Sequence, residues 1–259
     1  MSNAEKAADL LIAARQDEQK MDALPADLEP ATLADAYAIQ DAIMARTDLS
    51  LGGWKVALTN DEAMARASAT EPAAGPLFAQ HIVANPQTIE GGANTVGGFE
   101  CEFAFKLAAD IPASGAPYTA ETVAGAIEAV YPAVEVVGLR IANRPSLGVR
   151  GTVADHAGNY SFVYGDAVTD WQGLDLPNCG VRHLVDGEEV AASNGANVLG
   201  NPINSLAWLA NHLAGRGYEM KAGQWVTAGA ATGPIPAPIG SKMSADFGPL
   251  GVVEVNFKS

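Results

Sequence analysis

Gly98-Phe99-Glu100-Cys101-Glu102-Phe103-Ala104-Phe105-Lys106-Leu107 repeats with a period of two, which is the period of a strand. Successive side chains on a strand point to opposite faces, so Glu100 and Glu102 project together while Phe99, Cys101, Phe103 and Phe105 line the other side. Further β-rich segments bounded by glycine and proline lie at 54–58, 133–141, 160–164, 180–185, 224–228 and 252–257. Helical spacing interrupts them at 119–129, and again where Asn201 can cap a helix with Pro202 in its first position, running through Leu206, Leu209 and Leu213 to Gly215. Before position 60 the pattern is mostly helical. Ala7, Ala8, Leu10, Leu11 and Ala14 form one stripe, and Thr32 with Asp35 reads as a capping box opening a second helix. Regular strand–helix alternation, internal repeats and a glycine-rich dinucleotide turn are all absent. The fold class expected is α+β: a helical N-terminal region, 1–60, packed on a mixed, predominantly antiparallel β-roll, 61–259.

Composition narrows the partners. Thirty acidic against 15 basic residues give a net charge of -15, which repels nucleic-acid phosphates and anionic membrane surfaces. Charged residues are only 17% of the chain and hydrophobic ones 48%, a balance that points to self-association as a homo-oligomer. Cys101 and Cys179 have no metal-ligand spacing and make no disulfide framework. The N-terminus carries charges where a secretory signal needs an apolar run, and no stretch approaches 18 apolar residues, so a cytoplasmic protein is expected.

Two carboxylates side by side on an apolar strand repel each other and are expensive to keep ionised without a counter-charge. A third acid, Glu135, sits in the apolar run Ala133-Val134-Glu135-Val136-Val137. Three carboxylates half-fill an octahedral shell and leave room for substrate, which is the donor chemistry of Mg²⁺ or Mn²⁺. The plainer alternative has Glu100 and Glu102 on a solvated face and Glu135 paired with Arg140 or Lys55. Lys55, between Trp54 and Val56, either pairs with an acid, has a lowered pKa or points to water as an edge-strand lysine. Among the histidines, His212 is placed to favour a helix C-terminus, and His156 reads as a turn residue. The small residues from Thr227 to Pro234 allow backbone to approach a ligand, or simply form a tight turn.

Taken together these segments resemble the 2-keto-4-pentenoate hydratase group of the fumarylacetoacetate hydrolase superfamily. The resemblance is carried in order by Ala36-Tyr37-Ala38-Ile39-Gln40, Gly53-Trp54-Lys55-Val56-Ala57-Leu58-Thr59, Gly75-Pro76-Leu77-Phe78, Phe99 to Phe105, Ala133 to Glu135 with Arg140, Val153-Ala154-Asp155, and Asn201-Pro202 through Trp208 to Gly223. It implies a fumarylacetoacetase C-terminal-like β-roll, Mg²⁺ or Mn²⁺ held by Glu100, Glu102 and Glu135, and Lys55 as the active-site lysine. Catalytic roles are then expected at Lys55, Glu100 and Glu102, and substrate contacts at Lys55, Leu77, Phe78, Gly229 and Thr232. The implied reaction hydrates a 2-hydroxy-2,4-dienoate (a 2-oxo-enoate) to a 4-hydroxy-2-oxo acid in aromatic catabolism. Alternatives on the same scaffold are 4-oxalocrotonate decarboxylation, acylpyruvate C–C hydrolysis, or oxo-acid binding without catalysis. A decarboxylase substrate has a second carboxylate, for which Arg144 and Arg150 are candidate partners. The chain departs from the group's pattern at Ala79-Gln80-His81, where an acid is usual, at Gly229-Ala230 in place of Gly-Ser, at Gly138 and at Ala57.

Overall fold

The structure, a computed structural model, describes residues 1–259 apart from the side chains at positions 96 and 97. Its helices are α1 (Asn3–Gln16), α2 (Leu33–Arg46), α3 (Asp61–Arg66), α4 (Ala120–Ala124), α5 (Gly148–Ala154) and α6 (Pro202–Gly215). The strands are β1 (Leu51–Ala57), β2 (Ala73–Phe78), β3 (Ile82–Ala84), β4 (Gln87–Glu90), β5 (Thr95–Leu107), β6 (Ile127–Gly138), β7 (Asn159–Tyr164), β8 (Gly180–Val185), β9 (Glu188–Asn194), β10 (Trp225–Ala230), β11 (Ile235–Pro236), β12 (Lys242–Asp246) and β13 (Val252–Lys258). They form an eight-stranded sheet, β2-β1-β10-β5-β6-β7-β3 with β11 paired to β5, and a five-stranded sheet, β4-β13-β12-β8-β9. Most pairings are antiparallel; β1 with β10, β3 with β7 and β4 with β13 are parallel.

The alternation in β5 sets the layering. Phe99, Cys101, Phe103 and Phe105 are fully buried and share a core with Val253, Val255 and Phe257 of the second sheet, with Phe247 just after β12, and with Leu206, Leu209 and Leu213 of α6. Phe99 meets Phe257 edge-on at 5.3 Å between ring centres, and Phe103 meets Phe247 at 5.1 Å, the offset geometry aromatic rings prefer. With this face sealed, Glu100 and Glu102 must project from the opposite face of the large sheet. Helix α6 begins as its sequence dictates, with Asn201 Oδ1 accepting the Ile203 N–H and Pro202 at the first position.

At the N-terminus, Ser2 with Glu5 and Thr32 with Asp35 close capping boxes on α1 and α2. Ala7, Ala8, Leu11 and Ala14 pack with Ile39 and Ile43, and the same cluster takes in Phe78, Ile141 and Val153. The helical pair therefore shares its core with β2 and α5. Among the described residues no helix is long and apolar enough to cross a membrane.

Several local expectations change. The helix over 119–129 stops at Ala124, before Gly125, and the chain enters β6 at Ile127 because a ladder from Leu107↔Ile127 to Thr95↔Gly138 outweighs helix propensity. That strand ends at Gly138 rather than continuing to Ile141. Helices α3 and α5 and strand β2 carry no clear periodic signal; β2 is buried at all six positions and includes Gly75 and Pro76, so no alternation exists to read. His212 does not support a helix terminus electrostatically: burial pulls its pKa down to about 4, and the neutral ring stacks on Trp208 at 4.7 Å.

Candidate active site

Adjacent strands bring the acids together. Glu100 on β5 is the direct cross-strand partner of Glu135 on β6, Glu102 lies two residues further along the same face of β5, and Lys55 is on β1, one strand beyond β10. One oxygen from each of Glu100, Glu102 and Glu135 falls within 4.8 Å of the others. Lys55 is an interior-strand residue, buried, forming an ion pair with Glu135 and donating to the Ala157 carbonyl at 3.0 Å. Glu135 Oε1 also accepts from Asn159 Nδ2 at 3.2 Å. Glu102 Oε2 accepts the Gly229 N–H at 3.2 Å, whereas its buried Oε1 has no partner among the described residues. Gly229 lies in the irregularity where β10 leaves its register with β5, at φ +105°, and a Cβ there would stand 2.4 Å from Thr59 Oγ1. Glycine is thus required for its N–H to reach Glu102.

Charge explains the titration behaviour. Burial, then repulsion from Glu135, pushes the Glu100 carboxyl up to about 7. The same two causes hold Glu102 well above the usual carboxylate range. Burial of Lys55 disfavours its ammonium, but attraction first from Glu135 and then from Glu102 and Glu100 outweighs it, and the net shift is upward. Lys55 is therefore a paired cation, and the lowered-pKa alternative does not apply. Full ionisation of the three carboxyls against one ammonium would leave two negative charges uncompensated, which is why Glu100 and Glu102 are pushed toward their protonated forms. Hard oxygen donors, an unpartnered buried oxygen and this charge deficit together fit a divalent cation.

The turn between α5 and β7 supports the site from behind. His156, Ala157 and Gly158 all have left-handed backbone, at φ 55°, 52° and 81°. This hook aims the Ala157 carbonyl at Lys55. Gly75 makes the approach possible, since a Cβ on it would sit 2.7 Å from Ala157 Cβ. The hook is anchored by Asp155, which pairs with Arg140 and Arg144, while Arg140 Nη1 and Nη2 donate to the Asn159 and Asp155 carbonyls at 2.9 and 3.1 Å.

Lys55 and Glu100 open onto a cleft of about 1010 Å³ whose wall includes Thr59, Arg66, Arg144 and Ala230. The other expected substrate contacts lie elsewhere. Leu77 and Phe78 are packed into separate hydrophobic clusters, outside the cleft wall. Thr232 is buried, its Oγ1 accepting the Cys101 N–H at 3.3 Å and facing His183 Nδ1 at 3.3 Å. Of the two candidate arginines, Arg144 lines the cleft and Arg150 is engaged with the Pro30 and Ala31 carbonyls. Arg66, Thr59 and Asn159 were not singled out by sequence reasoning. The first two lie on or beside the irregular α3, and Asn159 looks in sequence like any turn residue before a strand.

No family model matches the sequence. The fold is shared with a putative fumarylacetoacetate hydrolase family protein from Yersinia pestis CO92, which superposes with a TM-score of 0.63 at 13% identity over 82% of this chain and 95% of its own. A 2-keto-4-pentenoate hydratase of Paraburkholderia xenovorans (strain LB400) is 30% identical over 98% of this chain and 95% of its own length. A 2-oxo-hept-4-ene-1,7-dioate hydratase of Escherichia coli is 30% identical over 95% and 97%. The structure of 4-oxalocrotonate decarboxylase from Pseudomonas putida G7, complexed with magnesium and adipate, matches with a TM-score of 0.91 and 28% identity over 98% and 97%. The chain belongs to the 2-keto-4-pentenoate hydratase family.

Proposed function

We propose that this chain is a divalent-metal-dependent hydro-lyase that adds water to a 2-hydroxy-2,4-dienoate, or its 2-oxo-enoate form, to give a 4-hydroxy-2-oxo acid. The observation that carries this reading is the convergence of Glu100, Glu102 and Glu135 beside a buried cationic lysine at a cleft. Those three carboxylates would hold Mg²⁺ or Mn²⁺, which supplies Lewis-acid polarisation of a chelating 2-oxo acid. Lys55 holds the proton. An ammonium has three donors, of which Glu135 and Ala157 engage two, leaving one for the substrate carbon that is protonated as the dienol ketonises. The proton that the 2-hydroxyl loses as the dienol ketonises returns to Lys55, whose ammonium Glu135 stabilises.

A second reading is favoured by Arg66 and Arg144, two guanidinium groups on the same wall, which suit a substrate with a second carboxylate. That would be an enedioate, either hydrated or decarboxylated. The names of the relatives span both chemistries. The test is incubation with 2-hydroxypenta-2,4-dienoate and with 4-oxalocrotonate, with and without Mg²⁺, following loss of ultraviolet absorbance, CO₂ release and product identity. A 4-hydroxy-2-oxo acid formed only with metal supports hydration, and CO₂ supports decarboxylation. Thermal stabilisation by oxalate plus Mg²⁺ without turnover of either compound would instead leave an oxo-acid binding protein.

A further inference from the structure

Asn159 stands outside the cleft wall, yet its side chain touches the acidic cluster. Its Nδ2 donates to Glu135 Oε1 at 3.2 Å, while its own carbonyl is gripped from the far side by two buried arginines, Arg140 Nη1 at 2.9 Å and Arg15 Nη1 at 3.2 Å. Asn159 is itself buried. It terminates the left-handed hook whose Ala157 carbonyl accepts from Lys55, and it opens β7, which pairs with the strand bearing Glu135. Its backbone is thus fixed by side chains from α1 and from the end of β6, and only its amide remains to be aimed. The amide is aimed at a carboxylate.

We infer that Asn159 is a positioning residue for the metal centre: its amide fixes the rotation of the Glu135 carboxylate, so that Lys55 takes one oxygen and the remaining lone pairs face Glu100 and Glu102. The inference rests on the reading that the three carboxylates bind a divalent cation. A carboxylate on a strand turns about its terminal bond over a broad range, and an outer donor that stops this rotation pre-pays the ordering that ion binding would otherwise require. Removing such donors costs about 10–100-fold in metal affinity. No other side chain among the described residues donates a hydrogen bond to Glu135 Oε1.

The experiment is Mn²⁺ titration by calorimetry on the full chain, comparing wild type, Asn159→Leu, Asn159→Ser and Asn94→Leu, with melting temperature recorded for each. Asn94 is an equally buried asparagine, donating to the Ala14 carbonyl at 2.6 Å, and serves as a control for loss of a buried hydrogen bond. The expected result is a dissociation constant raised about 10–100-fold in both Asn159 variants, with Asn94→Leu melting lower but binding Mn²⁺ like wild type. Should Asn159→Leu fail to fold, the smaller Asn159→Ser, which cannot reach Glu135, carries the measurement. Unchanged affinity in the Asn159 variants, or equal weakening in Asn94→Leu, overturns the inference while leaving the carboxylate site standing. Absence of Mn²⁺ binding in wild type removes the site itself and this inference with it.

Discussion

Two buried charge clusters lie back to back in this protein, separated by residues 155–159, and they are built on opposite plans. On one side Arg140, Arg144 and Arg15 surround the single carboxylate of Asp155, and the surplus positive charge is absorbed by backbone carbonyls of Gly138, Asp155, Asn159 and Tyr160. On the other, three glutamates meet one lysine, with further donors in the Gly229 N–H and the Asn159 amide. Each cluster shows its self-repulsion: burial and then Arg140 pull Arg15 down to about 9, while burial and then Glu135 push Glu100 up to about 7. The difference is in completion. The Asp155 carboxylate is closed off by two guanidinium groups, although Arg15 Nε has no hydrogen-bond partner among the described residues, whereas the acidic side has one cation for three carboxyls and a buried Glu102 oxygen left over. Matched counter-charge holds structure, whereas carboxyls short of cations leave oxygens available to an incoming ion.

Changing one residue from each side should separate the two plans. Lys55→Met on the acidic side should lower kcat by about 10²–10⁴-fold, the range for a positioned proton carrier. It should leave Mn²⁺ affinity equal or tighter, since it removes a competing positive charge. A Lys55→Met protein that keeps wild-type turnover, or that loses Mn²⁺ while turning over, would contradict the assignment of Lys55 to proton movement. Arg140→Met on the basic side leaves Asp155 short of its main partner. Breaking a fully buried ion pair costs about 3–5 kcal/mol, to be read as a shift in urea midpoint at constant m-value. A loss under about 1 kcal/mol would mean that Arg144 alone suffices for Asp155.

Acidity should act on the same asymmetry. The folded Glu100 carboxyl titrates near 7 and above its ordinary value of 4.5, so the metal-free folded chain binds this proton more tightly than the unfolded chain does. Its contribution to metal-free stability is therefore full below the unfolded pKa and is lost as pH rises through about 7. Ion binding runs the other way, because the proton must leave first. Apparent Mg²⁺ affinity should fall at least about tenfold per unit as pH drops below that point, since the raised Glu102 carboxyl must lose its proton as well. Melting curves from pH 5.5 to 8 with and without Mg²⁺ test both signs together: the metal-induced rise in Tm should shrink toward acid. A constant rise would show that Glu100 is ionised throughout.

How legible these two regions were in the sequence differs for a physical reason. The period of two in 98–107 places Glu100 and Glu102 on one face and four core residues on the other, and an acid in an apolar strand marks Glu135. Local pattern thus carries the candidate ligand residues. It does not carry register: nothing in 133–138 says that Glu135 falls opposite Glu100 rather than two residues away, and that depends on a ladder over the length of β5 and β6. The basic cluster was less visible still, because Arg15, Arg140 and Asp155 come from three elements and meet only through tertiary packing. Leu77 and Phe78 show the converse limit, since a conspicuous Gly75-Pro76-Leu77-Phe78 element can be conspicuous for packing. Its glycine is what the site needs, giving the hook room to reach Lys55.

The smallest predicted effect concerns the mouth of the cleft, where the two plans meet solvent. Arg66 on α3 is 61% exposed and its only ion-pair partner among the described residues is Glu62, at 3.6 Å on the same helix. Arg144 is held by Asp155 and the Gly138 carbonyl, so it belongs to the closed cluster even though it shows on the wall. Arg66 is the guanidinium free to meet a substrate's distal carboxylate. An exposed charge pair contributes about 0.2–1 kcal/mol, so Arg66→Ala should reduce kcat/KM for an enedioate by at most about fivefold. For a 2-hydroxydienoate with an uncharged tail the same change should have no effect. The ratio of the two specificity constants, measured in low salt and again at 0.5 M NaCl, isolates the contact because screening should erase it. Equal losses on both substrates would assign Arg66 to the shape of α3 instead, and would remove the main structural argument for a dicarboxylate over a monocarboxylate in this cleft.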